Sequence, residues 1–403
     1  YCVSVRYSYA CSKITELLIL HNMKLKFLSC AALLCACAFP LTSCSDDDDK
    51  TTPEDRTDIP KDNLAQPNPK LGDEPNATIP NIQYTTVDEE GAAVFRIDMT
   101  GIQDKATLEW LRLLGTGEIG QNIWIEVDGQ PKGVKVYNTA DDNNERTLPI
   151  DLVFLVDNSG SMSQEANAIA RDITAWAEKL SKTSLDINFG CVGYDGAITG
   201  AVNITSYQNL SDYLNRSGMT GVRRTKGFIG TESEITLYNE EKGNYRTGGG
   251  DALECGMAAL RFATDLFSFR KNANRIFVNF TDEPNQNNKI DRFSVESLLT
   301  DWDTTLGTIH TVYSASKNSD KNESNRLMSE YTGGTVIYTN SSFTGVTLED
   351  LPVTDAMRNS YVVRITNIRD LMDGQPHEVR ITILSEDGTV RAERTFTVVF
   401  EAI

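Results

Sequence analysis

The stretch "IDLVFLVDNSGSM", Ile150 to Met162, decides how the rest of this 403-residue chain is read. Its first seven residues are almost continuously apolar, the pattern of a central strand covered on both faces. The run ends on Asp157, and Ser159 and Ser161 follow at alternate positions. Three readings fit such an ending: a capped turn, a nucleophile, or a cradle for a metal ion. Serine and aspartate are common at strand-to-helix turns because their side chains bond nearby backbone groups. One loop alone therefore does not separate the three.

Outward from this strand, residues 148–345 alternate strands with helices. Between Gln164 and Lys182, Ala166, Ile169, Ile173, Trp176 and Leu180 fall at three- and four-residue steps, which predicts an amphipathic helix. Glu165 reads first as its solvated start and second as a contact to a further ion. "DINFGCVGY" and "AITGAVNIT" follow as a strand and a hairpin-like partner, then a short helix near Leu210. "DALECGMAALRFATDLF" predicts a helix from about Ala252, and "RIFVNFTD" an apolar strand running to Asp282. A helix over Ser294–Thr304, the strand "TIHTVYS", a helix over Glu323–Tyr331 and "GTVIYT" complete the series. Such alternation implies an α/β fold with a doubly wound, mainly parallel, Rossmann-like sheet.

The segments on either side differ. In 81–147, "AAVFRIDM" and "NIWIEVDGQPKGVKVY" alternate with period two, the latter turning at Asp128-Gly129. In 346–403, "YVVRITN" and "HEVRITILSEDGTVRAERTFTVVF" do the same. Each flank is short for a complete sandwich. The expectation is that both pair into one β-sandwich, with the α/β domain inserted between them.

The start of the chain reads as processing and tethering sequence. Residues 1–22 read as upstream sequence ahead of Met23. Residues 23–43 have the basic start and apolar run of a secretory signal peptide. "LTSC", Leu41 to Cys44, resembles the lipobox of bacterial lipoproteins, which implies acylation of Cys44. The following "SDDDDK" resembles the acidic export signal of surface lipoproteins of Gram-negative bacteria. Together these imply a bacterial outer-membrane location, at the cell surface, anchored through lipid alone. Six of the twelve prolines lie between Pro53 and Pro80, so 44–80 reads as an acidic, Pro-rich extended stalk.

A formal charge of -19 repels phosphate backbones and argues against nucleic-acid binding. Of the eight cysteines, only Cys44, Cys191 and Cys255 follow the signal segment. Cys191 and Cys255 read as two separate buried thiols, or as a pair in an oxidising envelope.

In doubly wound sheets, ligands bind outside the carboxyl ends of the strands. Three loops fall there: Asp157–Ser161, "TGGGDALE" (Thr247 to Glu254) and "TDEPN" (Thr281 to Asn285). "DNSGSM" after its apolar strand, and "EYTGGTVIYT" (Glu330 to Thr339), resemble a von Willebrand factor type A (VWA), or integrin-type I, domain over about 195 residues. That resemblance implies a MIDAS site, in which oxygen ligands from three loops hold a divalent cation. Asp157, Ser159, Ser161 and Asp282 match its ligands. The commonest family pattern supplies a threonine from the second loop, and this chain departs from it. Counting back from Ala259-Leu260 reaches Glu254, as in the subfamily that uses a glutamate there. Thr247 is the alternative ligand. Asp251 reads first as a helix N-cap and second as the ligand of a neighbouring ion. Mg²⁺ suits hard oxygen ligands in octahedral geometry, with Mn²⁺ and Ca²⁺ also compatible.

Enzymatic readings find little support. "NSGSM" is not the G-x-S-x-G elbow of a hydrolase, and "TGGGDALE" lacks the Gly-Lys-Ser/Thr ending of a phosphate loop. After the signal segment only His310 and His377 remain, and His310 reads as a packed strand residue. The expected function is non-enzymatic: a lipid-anchored surface binding or adhesion protein whose cation takes an acidic group of a protein ligand. A structural subunit of an envelope assembly, or an accessory component of a metal-linked enzyme, are the alternatives. Arg223, Arg224, Lys226 and Tyr238, in the long insertion 216–246, are candidate contact residues.

Overall fold

The computed structural model describes residues 52–403, except 66, 78, 80–81, 105–106, 108, 142–148, 164, 184, 216–241, 248–252, 315–322 and 341–351. The signal segment, Cys44, Asp251 and the four insertion residues named above lie outside the described residues.

The sheet built around Ile150–Asp157 has six strands: β6 (Ile150–Asp157), β7 (Ile187–Tyr194), β8 (Ile198–Thr205), β9 (Asn274–Thr281), β10 (Thr308–Tyr313) and β11 (Val336–Tyr338), in the order β11-β10-β9-β6-β7-β8. All neighbours are parallel except β7 and β8. Every residue of β6 is buried, which is why its apolar run is unbroken rather than alternating. Leu152, Phe154 and Val156 face one side, where α1 (Ala166–Ser181) contributes Ile173 and Trp176. Val153 and Leu155 face the other, where α3 (Gly256–Leu266) contributes Met257, Leu260 and Phe262. Full burial of side chains this size contributes about 1.5–3 kcal/mol each. Cys191 belongs to the first core and Cys255 to the second. The sheet lies between them, and neither is in a disulfide.

Four strands precede or follow this unit in each of two antiparallel sheets. One sheet has the order β1-β2-β12-β5, from Ile82–Glu89, Ala92–Met99, Tyr361–Ile365 and Lys135–Asn138. The other has the order β14-β13-β3-β4, from Arg391–Val398, His377–Leu384, Ile123–Val127 and Gln130–Lys132. Each sheet takes strands from both sides of the α/β unit, and Phe95, Ile97, Ile125, Val363, Val379 and Ile381 share one core. The β3–β4 turn places Asp128 and Gly129 at φ of 49° and 74°, the left-handed pair a two-residue hairpin turn requires.

Several expectations need correcting. Helix α3 begins at Gly256, not near Ala252, because Cys255 is extended with φ of -137° and ψ of 94°. Ser294–Thr304 is not one helix. It breaks into short 3-10 turns around α4 (Leu298–Asp301), with Ser294 and Asp303 each capping a new turn. The α/β unit also runs past residue 345, since Met357 of α6 (Pro352–Arg358) packs into the α1-side core.

Residues 52–77 are not a free-standing stalk either. Ile59 is buried against Ala92 and Val94. Asp62 accepts hydrogen bonds from the Lys132 ammonium (3.1 Å) and the Gly133 N–H (3.0 Å). Asn76 exchanges backbone and side-chain bonds with Arg391. A Cβ at Gly133 would sit 1.8 Å from the Pro60 carbonyl oxygen, so only glycine admits this approach. The segment lacks apolar residues for a core of its own, but its few polar anchors are satisfied by the sandwich.

Candidate metal centre

The strand order places the site. From β6 the chain moves to β7 and β8 on one side, then crosses to β9 on the other. The carboxyl ends of β6 and β9 therefore flank the switch point where doubly wound sheets open a crevice. Asp157 is the last residue of β6, and Asp282 follows the last residue of β9. Glu254 arrives from the loop before α3.

One carboxylate oxygen from each of Asp157, Glu254 and Asp282 lies within 4.8 Å of the other two. The serines close the same space: the Ser159 and Ser161 hydroxyls are 2.9 Å apart, and Ser161 donates to Asp282 Oδ1 at 3.0 Å. Asp157, fully buried, accepts the Ser159 backbone N–H on Oδ1 (2.9 Å) and the Thr281 hydroxyl on Oδ2 (2.7 Å). Glu254 Oε2 is buried without a hydrogen-bond partner. The backbone N–H of Gln286 donates to the Glu254 carbonyl (2.8 Å), tying the second loop to the third.

Three carboxylates this close are strongly frustrated when all are charged. At an effective dielectric of about 20, each pair repels by about 3–4 kcal/mol. Burial lifts Asp157 to about 6, against the bonds from Ser159 and Thr281 that favour its charged form. Burial, then the negative charge of Asp157, lifts Glu254 to about 8. Such a cluster is relieved by protons or by a cation. The donor set of carboxylates and hydroxyls, with no nitrogen or sulfur, fits a hard divalent cation such as Mg²⁺, Mn²⁺ or Ca²⁺. The buried Glu254 Oε2 is an orphaned acceptor that such an ion would satisfy. The residues present thus fit the group.

Thr247 serves the loop instead. Its hydroxyl donates to the carbonyls of Leu253 (2.6 Å) and Gly196 (3.3 Å), and its own carbonyl accepts from Asn288 (2.6 Å). Glu165 is buried, not solvated, with the Ser314 hydroxyl 3.4 Å from Oε1.

Several contributors have roles that the sequence does not assign. Thr281 orients Asp157, although it stands beside Asp282 in the third loop. Asn285 of that loop caps α3 by accepting the Met257 N–H (3.0 Å), and also meets the Cys255 thiol (3.2 Å). Tyr194, fully buried beneath the cluster, donates to Asn279 Oδ1 (2.7 Å). An aromatic residue ending a buried strand carries no sequence signal for this role.

No family model matches the chain, and no curated protein matches it. Among solved structures it is similar to an aerotolerance-related membrane protein from Bacteroides fragilis with multiple mutations to serines. That match has 15% identity, 48% of this chain, 93% of that chain and a TM-score of 0.29. It is also similar to the conserved hypothetical protein BatB from Bacteroides thetaiotaomicron (12% identity, 47% and 90% coverage, TM-score 0.30). A third is the pilus adhesin SpaC from Lactobacillus rhamnosus GG in an open conformation (9% identity, 81% and 48% coverage, TM-score 0.33). At these scores the likenesses carry no argument. Among the described residues, no helix is long and apolar enough to cross a membrane.

Proposed function

We propose that this is a non-enzymatic binding protein of the bacterial envelope, with a VWA-type domain that engages an acidic group of a protein partner through a divalent cation. The observation that supports it is the meeting of Asp157, Glu254 and Asp282 within 4.8 Å at the switch point of the sheet. Asp157, Glu254 and Asp282 would hold the ion with the hydroxyls of Ser159 and Ser161, and Mg²⁺ is the leading candidate. When bound, the cation supplies positive charge for a partner's carboxylate.

The chain's own groups do the rest. Thr281 and the Ser159 N–H fix Asp157, while Ser161 holds Asp282. The Gln286 bond and the Asn285 cap keep the second and third loops in register. The reading includes lipid attachment through Cys44 at the outer-membrane surface and no nucleic-acid partner. The deciding experiment is a pull-down from envelope extract with wild type and the Ser159→Ala/Ser161→Ala variant, in Mg²⁺ and in chelator. Capture of a partner by wild type only in Mg²⁺ is expected. The same partners in all four conditions would sink the reading.

A further inference from the structure

A second site lies at the opposite edge of the same sheet. Ile276 and Thr308 stand at or near the amino ends of β9 and β10, and Gly334 just precedes β11. With Thr100, Gln103 and Trp110 from the sandwich they line a cleft of about 480 Å³. That volume falls within the range of about 300–1,000 Å³ typical of small-molecule sites, which favour domain junctions. From Ile276 to Asp282 is six residues of strand, so about 20 Å separates this cleft from the acidic cluster.

His310 lines the cleft and is only 9% exposed. Its Nδ1 accepts the Thr335 backbone N–H at 3.2 Å, with the Thr335 hydroxyl also 3.0 Å away. An accepting Nδ1 in a neutral ring puts the proton on Nε2. Burial pushes this imidazole down to about 4, so it is neutral at physiological pH. Among the described residues no group accepts the Nε2–H, which leaves it as a donor open to the cleft.

The other walls define what that donor meets. Trp110 is half-buried, and its indole lies against bare backbone: a Cβ on Gly101 would come within 2.9 Å of Trp110 Cε3. The Cε3–Cζ3 edge of the ring is packed against the wall, and the half-buried indole gives the cleft apolar surface. Glu393 is an exposed carboxylate on the lining, and Glu330, also on it, is ion-paired with the Arg326 guanidinium. The Glu393 charge disfavours an anion, and both carboxylates have acceptor oxygens that suit hydroxyl groups. A simple ammonium has no lone pair for His310, and a hydrocarbon has no donors for the glutamates. A sugar has all three features: an acceptor oxygen, several hydroxyl donors and an apolar C–H face for an indole.

We propose that this cleft binds a neutral saccharide, with Trp110 stacking on the sugar face and His310 Nε2 donating to a sugar oxygen. This site is independent of the cation cluster and does not rest on the function proposed for it. The test is calorimetric titration of the protein with maltotriose and with N,N′-diacetylchitobiose, in chelator. Saturable binding of either, with Kd of about 1 mM or tighter, is expected. Trp110→Ala and His310→Phe should each weaken it by about tenfold. Because either variant could perturb folding, the wild-type His310 Nε2 resonance provides a second measurement and should shift on addition of the same sugar. Failure of both sugars to bind, binding that survives both substitutions, or an unmoved His310 resonance would each overturn the proposal.

Discussion

Strand β6 carries a buried aspartate near each end, and the two have opposite electrostatic surroundings. At the amino end, Asp151 meets Arg270, whose Nε donates to Oδ1 (2.7 Å) and whose backbone N–H donates to Oδ2 (2.8 Å). The same guanidinium also reaches Asp186 and the Ile150 carbonyl. At the carboxyl end, Asp157 receives only an N–H and a hydroxyl, and faces two more carboxylates. Both aspartates are fully buried, on the same strand, and burial raises each from its ordinary value. One end is electrostatically complete. The other becomes complete only when something positive arrives, and that difference separates a structural acid from a functional one.

The contrast can be broken most severely at the complete end. Arg270→Met strands Asp151 without its cation, and removing one partner of a buried pair costs about 3–5 kcal/mol. Urea denaturation should show a loss of that size, with or without Mg²⁺. Asp157→Asn should instead leave the metal-free protein as stable as wild type or slightly more so, because it removes one of three mutually repelling charges. A loss as large as that of Arg270→Met would refute the comparison.

Cation binding gives the next effect. With free Mg²⁺ at 100 times its Kd, wild type should gain about 2.7 kcal/mol, seen as a raised Tm. Ser159→Ala/Ser161→Ala and Asp157→Asn should lose most of that gain, while Arg270→Met keeps it. Equal Mg²⁺ stabilisation of wild type and Asp157→Asn would remove the cluster as its source.

The pH dependence sharpens the same contrast. Glu254 titrates near 8 in the fold, against an ordinary value of 4.5. Between those values the folded protein holds a proton that the unfolded chain has released. Metal-free stability therefore falls as pH rises through this window, with a slope of up to about 1.4 kcal/mol per pH unit for one group. Chemical denaturation in chelator between these pH limits should show that fall, and Glu254→Gln should flatten it. An unchanged slope in the variant would mean that Glu254 is not the group responsible. The smallest expected effect is Thr281→Val, which removes one hydroxyl bond to Asp157 and should cost about 1 kcal/mol. It should also weaken Mg²⁺ binding, which a purely structural loss would leave unchanged.

The sequence shows why Asp157, Glu254 and Asp282 are candidates but not why they meet. The unbroken apolar run before Asp157 marks a strand buried on both faces, and β6 is one. The meeting depends on β9 crossing to lie beside β6, a pairing between residues more than a hundred positions apart. Thr281 was invisible as a contributor because threonine is unremarkable at the end of a strand. Its role exists only where its hydroxyl reaches another strand's carboxylate. Residues 52–77 misled in a different way: low hydrophobicity describes what a segment cannot bury by itself. It does not register Ile59 and Asp62 finding their complements on a sandwich assembled from distant strands.

The point where the chain leaves the sandwich is also the point where it returns. Asn138, at the end of β5, pairs with Tyr361, at the start of β12, and the Thr139 N–H donates to the Ser360 carbonyl at 2.9 Å. To the sandwich, the whole intervening α/β unit is an elaborate hairpin loop. Its doorway is closed by the same ladder that would close a two-residue turn. The architecture is that of a socket: every strand pair of the two β-sheets is made by residues outside the inserted unit.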